Sequence, residues 1–166
     1  MIIDNRTGSS ILESGEKHIA FPVTTEGYNY SGVAGEISRK YWSELEEIGD
    51  TKDKGFKAGT VLQKEVEGVT YYALVCYSIK KGWVNSADTI CKCFNSIGTT
   101  EPIAADFGVA TDFAGKFLKA TPKEINKGME NSDKRIILYW SVKNTISYIS
   151  NWLCFIFLHK KHIRYK

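Results

Sequence analysis

The chain has 166 residues, 43% of them hydrophobic and 25% charged, with only 3 prolines, so a single domain with a substantial core is expected and extensive disorder is excluded. A formal net charge of +3, with acids and bases interspersed, lacks the concentrated basic stripe of a dedicated nucleic-acid binder. It is compatible with a small anionic ligand.

In chain order, Ile2–Asn5 reads as a short strand, and Lys17–Thr24 (KHIAFPVT) as a longer apolar strand that stops at polar turn residues. Gly35–Glu47 follows with Ile37, Tyr41, Trp42 and Leu45 near helical spacing and charges on the other face. Thr60–Val66 and Thr70–Tyr77 flank the turn-like Glu67-Gly68 pair, as a hairpin or as two neighbouring strands. Asn85–Ser96 opens on a capping Asn-Ser and carries Ile90, Cys93, Phe94 and Ile97 on one stripe. Pro102–Phe107 is a short strand. Thr121 then caps a helix with Pro122 at its first position, running to about Glu130. Arg135–Trp140 (RIILYW) is the last strand, rich in β-branched and aromatic residues. Strands alternating with helices predict an α/β domain with a mixed or mostly parallel sheet covered on both faces.

In such sheets ligands sit beyond the carboxyl ends of the strands. Two small-residue segments fall there: Glu26–Gly35 (EGYNYSGVAG) and Phe107–Gly115 (FGVATDFAG). Backbone N–H groups leading into a helix suit a diphosphate, because they offer donors and partial positive charge. Taken singly, either segment is equally well a tight turn.

The run YNYSGVAGEISRKYW resembles the glycine-rich loop of macrodomains, which follows a central strand and opens a helix; Gly32, Val33, Ala34, Gly35 and Ile37 fall on that pattern. PIAADFGVATDFAG is similar to the family's second loop, with Gly108 and Ala110 at its two glycine positions. The likeness runs from about Gly8 to Trp140 and rests more on the order of elements than on one motif. It implies a three-layer α/β/α macrodomain over 1–140, with 141–166 as an extension, and a ligand that is ADP-ribose or a related nucleotide. Ser9, Ser10, Thr24, Asn29, Tyr30, Gly32–Gly35, Gly108, Val109, Ala110, Thr111 and Phe113 would line its site. Tyr28, Tyr30 or Phe113 would cover adenine or ribose, unless they simply pack as aromatic side chains.

One macrodomain branch hydrolyses ADP-ribosyl linkages on glutamate or nucleobases, using an Asp after the second loop; Asp112 in GVATDFAG matches it. That branch also carries a Lys at the end of the strand that TYYALVCY resembles. Tyr77 stands there instead, and Lys80 or Lys81 would return to the site only through a small insertion. Ser9 and Ser10 replace the acidic residue that usually reads adenine, and Phe21-Pro22-Val23-Thr24 replaces an asparagine-bearing strand end. Three functions follow: an ADP-ribosyl hydrolase acting on modified protein or nucleic acid, a non-catalytic ADP-ribose binder, and an ADP-ribose 1″-phosphate phosphatase. Small divergent members resemble those of tailed bacteriophages, which implies action in a host cytoplasm.

No cofactor or metal site is expected. Cys76, Cys91, Cys93 and Cys154 include no CxxC pair and read as free thiols in a reducing cytoplasm. No secretory signal is evident in MIIDNRTGSS. His18 reads as structural, and His159 and His162 fall in a basic tail. Ile146–Leu158 is apolar but shorter than the roughly 20 residues a membrane span needs. It reads as a terminal helix packed on the sheet, as an interfacial anchor with a basic flank, or as a partner-binding or poorly ordered tail. A monomer is expected.

Overall fold

A computed structural model of the chain describes residues 2–7, 10–27, 32–47, 56–78, 82–83, 86–107 and 122–140. Its elements are β1 (Ile2–Thr7), a 3-10 turn (Ile11–Glu13), β2 (His18–Thr24), α1 (Gly32–Lys40), α2 (Glu44–Glu47), β3 (Val61–Val66), β4 (Val69–Ser78) and β5 (Gly82–Trp83). Then come α3 (Ser86–Asn95), β6 (Ile103–Ala105), α4 (Pro122–Asn131) and β7 (Ile136–Trp140). The strands form one sheet in the order β1-β7-β6-β2-β4-β3, with β5 beside the end of β4. β1, β7, β6, β2 and β4 run parallel, whereas β3 and β5 are antiparallel to β4.

Alternation along the strands divides the core in two. Ile19, Phe21 and Val23 of β2, with Tyr71, Ala73 and Val75 of β4, pack on one face against Val33, Ala34 and Ile37 of α1 and against Trp42 and Leu45. Ala20, Leu74, Ile103 and Ile136 face the other way, onto Ile90, Cys93 and Phe94 of α3 and Ile125 and Met129 of α4. The result is the expected three-layer α/β/α arrangement. Near-continuous burial of Tyr71–Ser78 marks β4 as a strand covered on both faces.

Several local features differ from what the residue pattern predicts. The helix expected over Gly35–Glu47 starts earlier, at Gly32, and breaks at residues 41–43. There the Ile37 carbonyl accepts from both Tyr41 N–H (2.8 Å) and Trp42 N–H (2.9 Å), which ends α1 and lets Trp42 and Leu45 both turn toward the sheet. β1 runs on to Thr7, β6 is shorter than Pro102–Phe107, and the two-residue β5 has no counterpart among the expected strands. The Glu67-Gly68 pair does close a two-residue hairpin. Its φ values of +52° and +80° give the left-handed pair that a tight hairpin turn needs, with Val66 opposite Val69.

α3 and α4 approach closely at Gly128. A Cβ there would lie 2.7 Å from the Ala87 carbonyl oxygen and 2.9 Å from Ile90 Cβ, and backbone cannot move aside cheaply. Gly128→Ala gains about 1 kcal/mol of helix propensity but overpacks the contact at a cost of ~1–3 kcal/mol. A lower thermal midpoint is expected. A midpoint above that of the parent would show that the helices separate freely.

Cys76, Cys91 and Cys93 are free thiols. Burial pushes the Cys93 thiol up to about 12 and raises Cys76 well above its ordinary value, with Cys93 adding to the latter effect. At pH 8 a thiol near 12 is ionised to only ~10⁻⁴, and the thiolate is the nucleophile. Alkylation of the native protein should therefore label the half-buried Cys91 while sparing Cys76 and Cys93 until denaturant is added. Peptide mapping reads this directly, and native labelling of Cys93 at the rate of Cys91 would contradict it.

Candidate functional site

The topology selects one place for a ligand. α1, which follows β2, packs on one face of the sheet, while α4, the first described helix after the neighbouring strand β6, packs on the opposite face. Where successive connections depart to opposite faces, the strand ends open a crevice between them. The residues of β2 explain why the strands part there. Ala20 C=O accepts from Asp106 N–H at 3.2 Å, so the main-chain groups of residue 20 face β6, and those of residue 22 face the same way. Residue 22 is a proline. It has no N–H with which to donate the next rung of the parallel ladder, and the β2–β6 pairing ends at Ala20 opposite Ala105.

The α1 side of this crevice begins at Gly32. Its φ of +61° is left-handed although it opens the helix, and a side chain would be strained there. Gly32, Val33, Ala34 and Gly35 are all buried, so this segment is the first turn of α1 rather than the open loop that its composition suggests. That corrects the geometry while keeping the chemistry. The first-turn N–H groups of a helix have no intrahelical acceptor and carry partial positive charge, and no acidic side chain occupies this first turn.

Between β2 and α1 the chain is tied to the end of β4. Thr25 N–H donates to Tyr77 C=O at 2.7 Å, and Phe56 N–H donates to Thr25 C=O at 2.7 Å. Gly27, at φ +80°, turns back so that its N–H reaches Thr24 C=O at 3.2 Å. The turn presents the half-buried Glu26, whose Oε1 accepts from Ser78 Oγ at 2.7 Å. Tyr77 has its phenol pushed up, by burial first and by the Glu26 charge second. On the other flank of β2, Asp106 stands immediately after β6 and is fully buried.

Of the residues expected to line the site, Thr24 ends β2, opposite Tyr77 of β4, and Gly32–Gly35 open α1. Ser10 immediately precedes the 3-10 turn, after β1, and its side chain makes no capping bond. Ser9, Tyr28, Asn29, Tyr30, Lys80, Lys81, Gly108, Val109, Ala110, Thr111, Asp112 and Phe113 lie outside the described residues. Tyr77 lies at the carboxyl edge, opposite Thr24. Glu26, Ser78 and Asp106 are additions to the expected set. An acid inside the apolar run PIAADF is the sequence signal for Asp106, whereas Glu26 and Ser78 are 52 positions apart and meet only through the β2–β4 pairing. His18 lies at the opposite end of β2 from the crevice. It is held there by Tyr72 Oη at 3.0 Å and Glu101 Oε2 at 2.6 Å, a structural role as expected. Among the described residues no group of three or more His, Cys, Asp or Glu is arranged to hold a metal, and no helix is long and apolar enough to cross a membrane.

The fold has counterparts among solved structures. The macrodomain of Thermus aquaticus DarG superposes with a TM-score of 0.56 at 11% identity, over 82% of this chain and 97% of that one. A protein from Bacteroides thetaiotaomicron gives 0.53 at 12% identity, over 82% and 99%. An alphavirus P23pro-zbd structure gives 0.55 at 14% identity, with 82% of this chain covering 21% of that larger one. No family model matches the sequence, and no curated protein is significantly similar to it. The chain has a macrodomain fold.

Proposed function

We propose that this protein binds ADP-ribose or a close derivative in the crevice beyond β2 and β6, and that it hydrolyses ADP-ribosyl linkages on protein or nucleic acid. The observation that carries the reading is the joining of an acid-free helix N-terminus, α1, to the β2/β6 switch point of a macrodomain fold. A diphosphate there accepts from first-turn N–H groups, and the segment 108–113 completes its cradle. Asp112 then assists water in attacking the distal ribose carbon, releasing ADP-ribose. The chain works as a monomer in the cytoplasm, that of a host cell if its source is a phage, with 141–166 as an appended extension to the domain at 1–140.

Tyr77 favours a second reading, a binder without catalysis. Its phenol stands buried at the strand end where the hydrolytic branch keeps a cation, and burial together with Glu26 keeps it protonated. Calorimetry with ADP-ribose, joined to a release assay on ADP-ribosylated protein and nucleic acid from the same preparation, separates the two. Binding with release supports the hydrolase and binding without release supports the binder. Failure to bind ADP-ribose removes both.

A further inference from the structure

Proline inside a central strand is unusual, because it offers no donor to the ladder and is ordinarily confined to edges and bulges. β2 is central, with β4 on one side and β6 on the other. Its pairing with β4 keeps register from His18 to Val23 and shifts only after that, so no bulge accounts for the proline at residue 22. On the β6 side the next rung would run from an N–H at residue 22 to the Asp106 carbonyl, one step beyond the Asp106–Ala20 bond. Pro22 does more than omit that donor. Its ring puts a carbon about 1.5 Å from the nitrogen, along the direction the hydrogen would take. Such a carbon stays about 3.3 Å or more from a carbonyl oxygen, so a nitrogen-to-oxygen spacing of about 2.9 Å opens to about 4.8 Å. Solvent reaches this position: Pro22 is half-buried, whereas Phe21, Val23 and its register partner Leu74 are buried.

We infer that Pro22 is a wedge that holds β2 and β6 apart and so keeps the crevice wide enough for its ligand. This positioning role rests on the proposed binding of ADP-ribose in the crevice, and it holds whichever end of the ligand enters the gap. An N–H at residue 22 would favour a closed form, in which the ladder continues one rung toward the crevice mouth. A carbonyl oxygen has two lone pairs, so Asp106 can accept this bond in addition to any other that it makes. Closure and ligand binding then compete for one space. Apparent affinity falls with the fraction of molecules left open, and one net hydrogen bond shifts that fraction by about three- to tenfold. By the same linkage the ligand must reopen the rung. Proline leaves the sheet one ladder bond short and the site permanently open.

The test compares the full chain in three forms: the parent, Pro22→Ala, and a backbone ester at the same position with lactate in place of alanine. Alanine and lactate carry the same methyl group and both lack the ring. Only alanine supplies the N–H, whereas the ester oxygen of lactate repels the Asp106 carbonyl. In calorimetry with ADP-ribose, Pro22→Ala should bind about three- to tenfold more weakly than the parent, and the lactate ester should recover the parent's affinity to within about twofold. Residue-resolved hydrogen exchange gives a second readout. The amide at residue 22 of Pro22→Ala should be protected in the free protein and lose protection under saturating ADP-ribose, the reverse of a ligand's usual effect. Thermal melts on all three forms check that they are folded. An unprotected amide at residue 22 overturns the wedge, as does a Pro22→Ala affinity equal to the parent's. An equal loss in the alanine and lactate forms also overturns it, by assigning the effect to packing of the ring; in each of these cases ADP-ribose binding still stands. A parent that binds no ADP-ribose overturns the functional reading, and the role of Pro22 in admitting that ligand falls with it.

Discussion

Asp112→Ala is expected to lower the rate of ADP-ribose release by ~10²–10⁴-fold, the usual contribution of a general base, while changing ADP-ribose affinity by only a few-fold. The asymmetry follows from the role proposed for the side chain. Water activation matters where charge develops in the transition state, whereas the ground-state ligand is held mainly by backbone donors and shape. Lys80→Ala or Lys81→Ala should also reduce turnover if the chain after Ser78 returns one of these cations to the site in place of Tyr77. Assays need both ADP-ribosyl carboxylate esters and ADP-ribosylated nucleobases, because the two leaving groups make different demands on an acid. If the parent binds ADP-ribose yet releases none from either class, and Asp112→Ala merely weakens binding, the protein is a binding module.

Elements bounded by strong local signals are legible in the residues themselves. KHIAFPVT, TYYALVCY and RIILYW are apolar runs ended by polar or turn residues, and they form three of the parallel strands. Pro122 opens α4 as its position after Thr121 suggests, because proline loses nothing at a first helical position. The break between α1 and α2 is not legible in this way. Ile37, Trp42 and Leu45 all belong to the apolar side of one amphipathic pattern, and only the packing that turns Trp42 onto the sheet shows where the helix stops. The start of α1 is hidden for the opposite reason. SGVAG has the composition of a flexible loop, yet one left-handed glycine, Gly32, is enough to enter a buried helical turn.

The candidate site divides along the same line. Its location follows from where small residues fall between elements, which is local information. Its charges do not, because they depend on register. Glu26 meets Ser78 only because β2 pairs in parallel with β4 and a bulge near Val23 sets Thr24 opposite Tyr77. Pro22 is a third case, since its residue pattern makes it an ordinary member of a strand end. Its effect appears only when β6 is known to lie on the side where its N–H is missing.

Gly35→Glu should cost ADP-ribose at least ~100-fold in affinity, and the comparison that proves the reason is Gly35→Gln. Gly35 is buried in the first turn of α1, so any long side chain there disturbs packing, and the glutamate variant alone would confound binding with folding. Glutamine and glutamate disturb packing almost equally and differ in charge. An acid in the first turn is favoured by the helix dipole, by ~0.3–1 kcal/mol, which offsets part of the cost of placing a charge at this buried position. If the diphosphate lies on the first-turn N–H groups, the added carboxylate is about 5 Å from a phosphate. At an effective dielectric of about 20 that repulsion is ~3 kcal/mol for one pair of unit charges, or roughly 100-fold in affinity. Gly35→Gln should therefore bind measurably, more weakly than the parent, while Gly35→Glu falls below detection although it still melts cooperatively above the assay temperature. Added salt should narrow the gap between the variants, since charge screening acts on this difference and not on the shared steric term. Equal affinities for the glutamine and glutamate variants would mean that the diphosphate lies elsewhere than on α1.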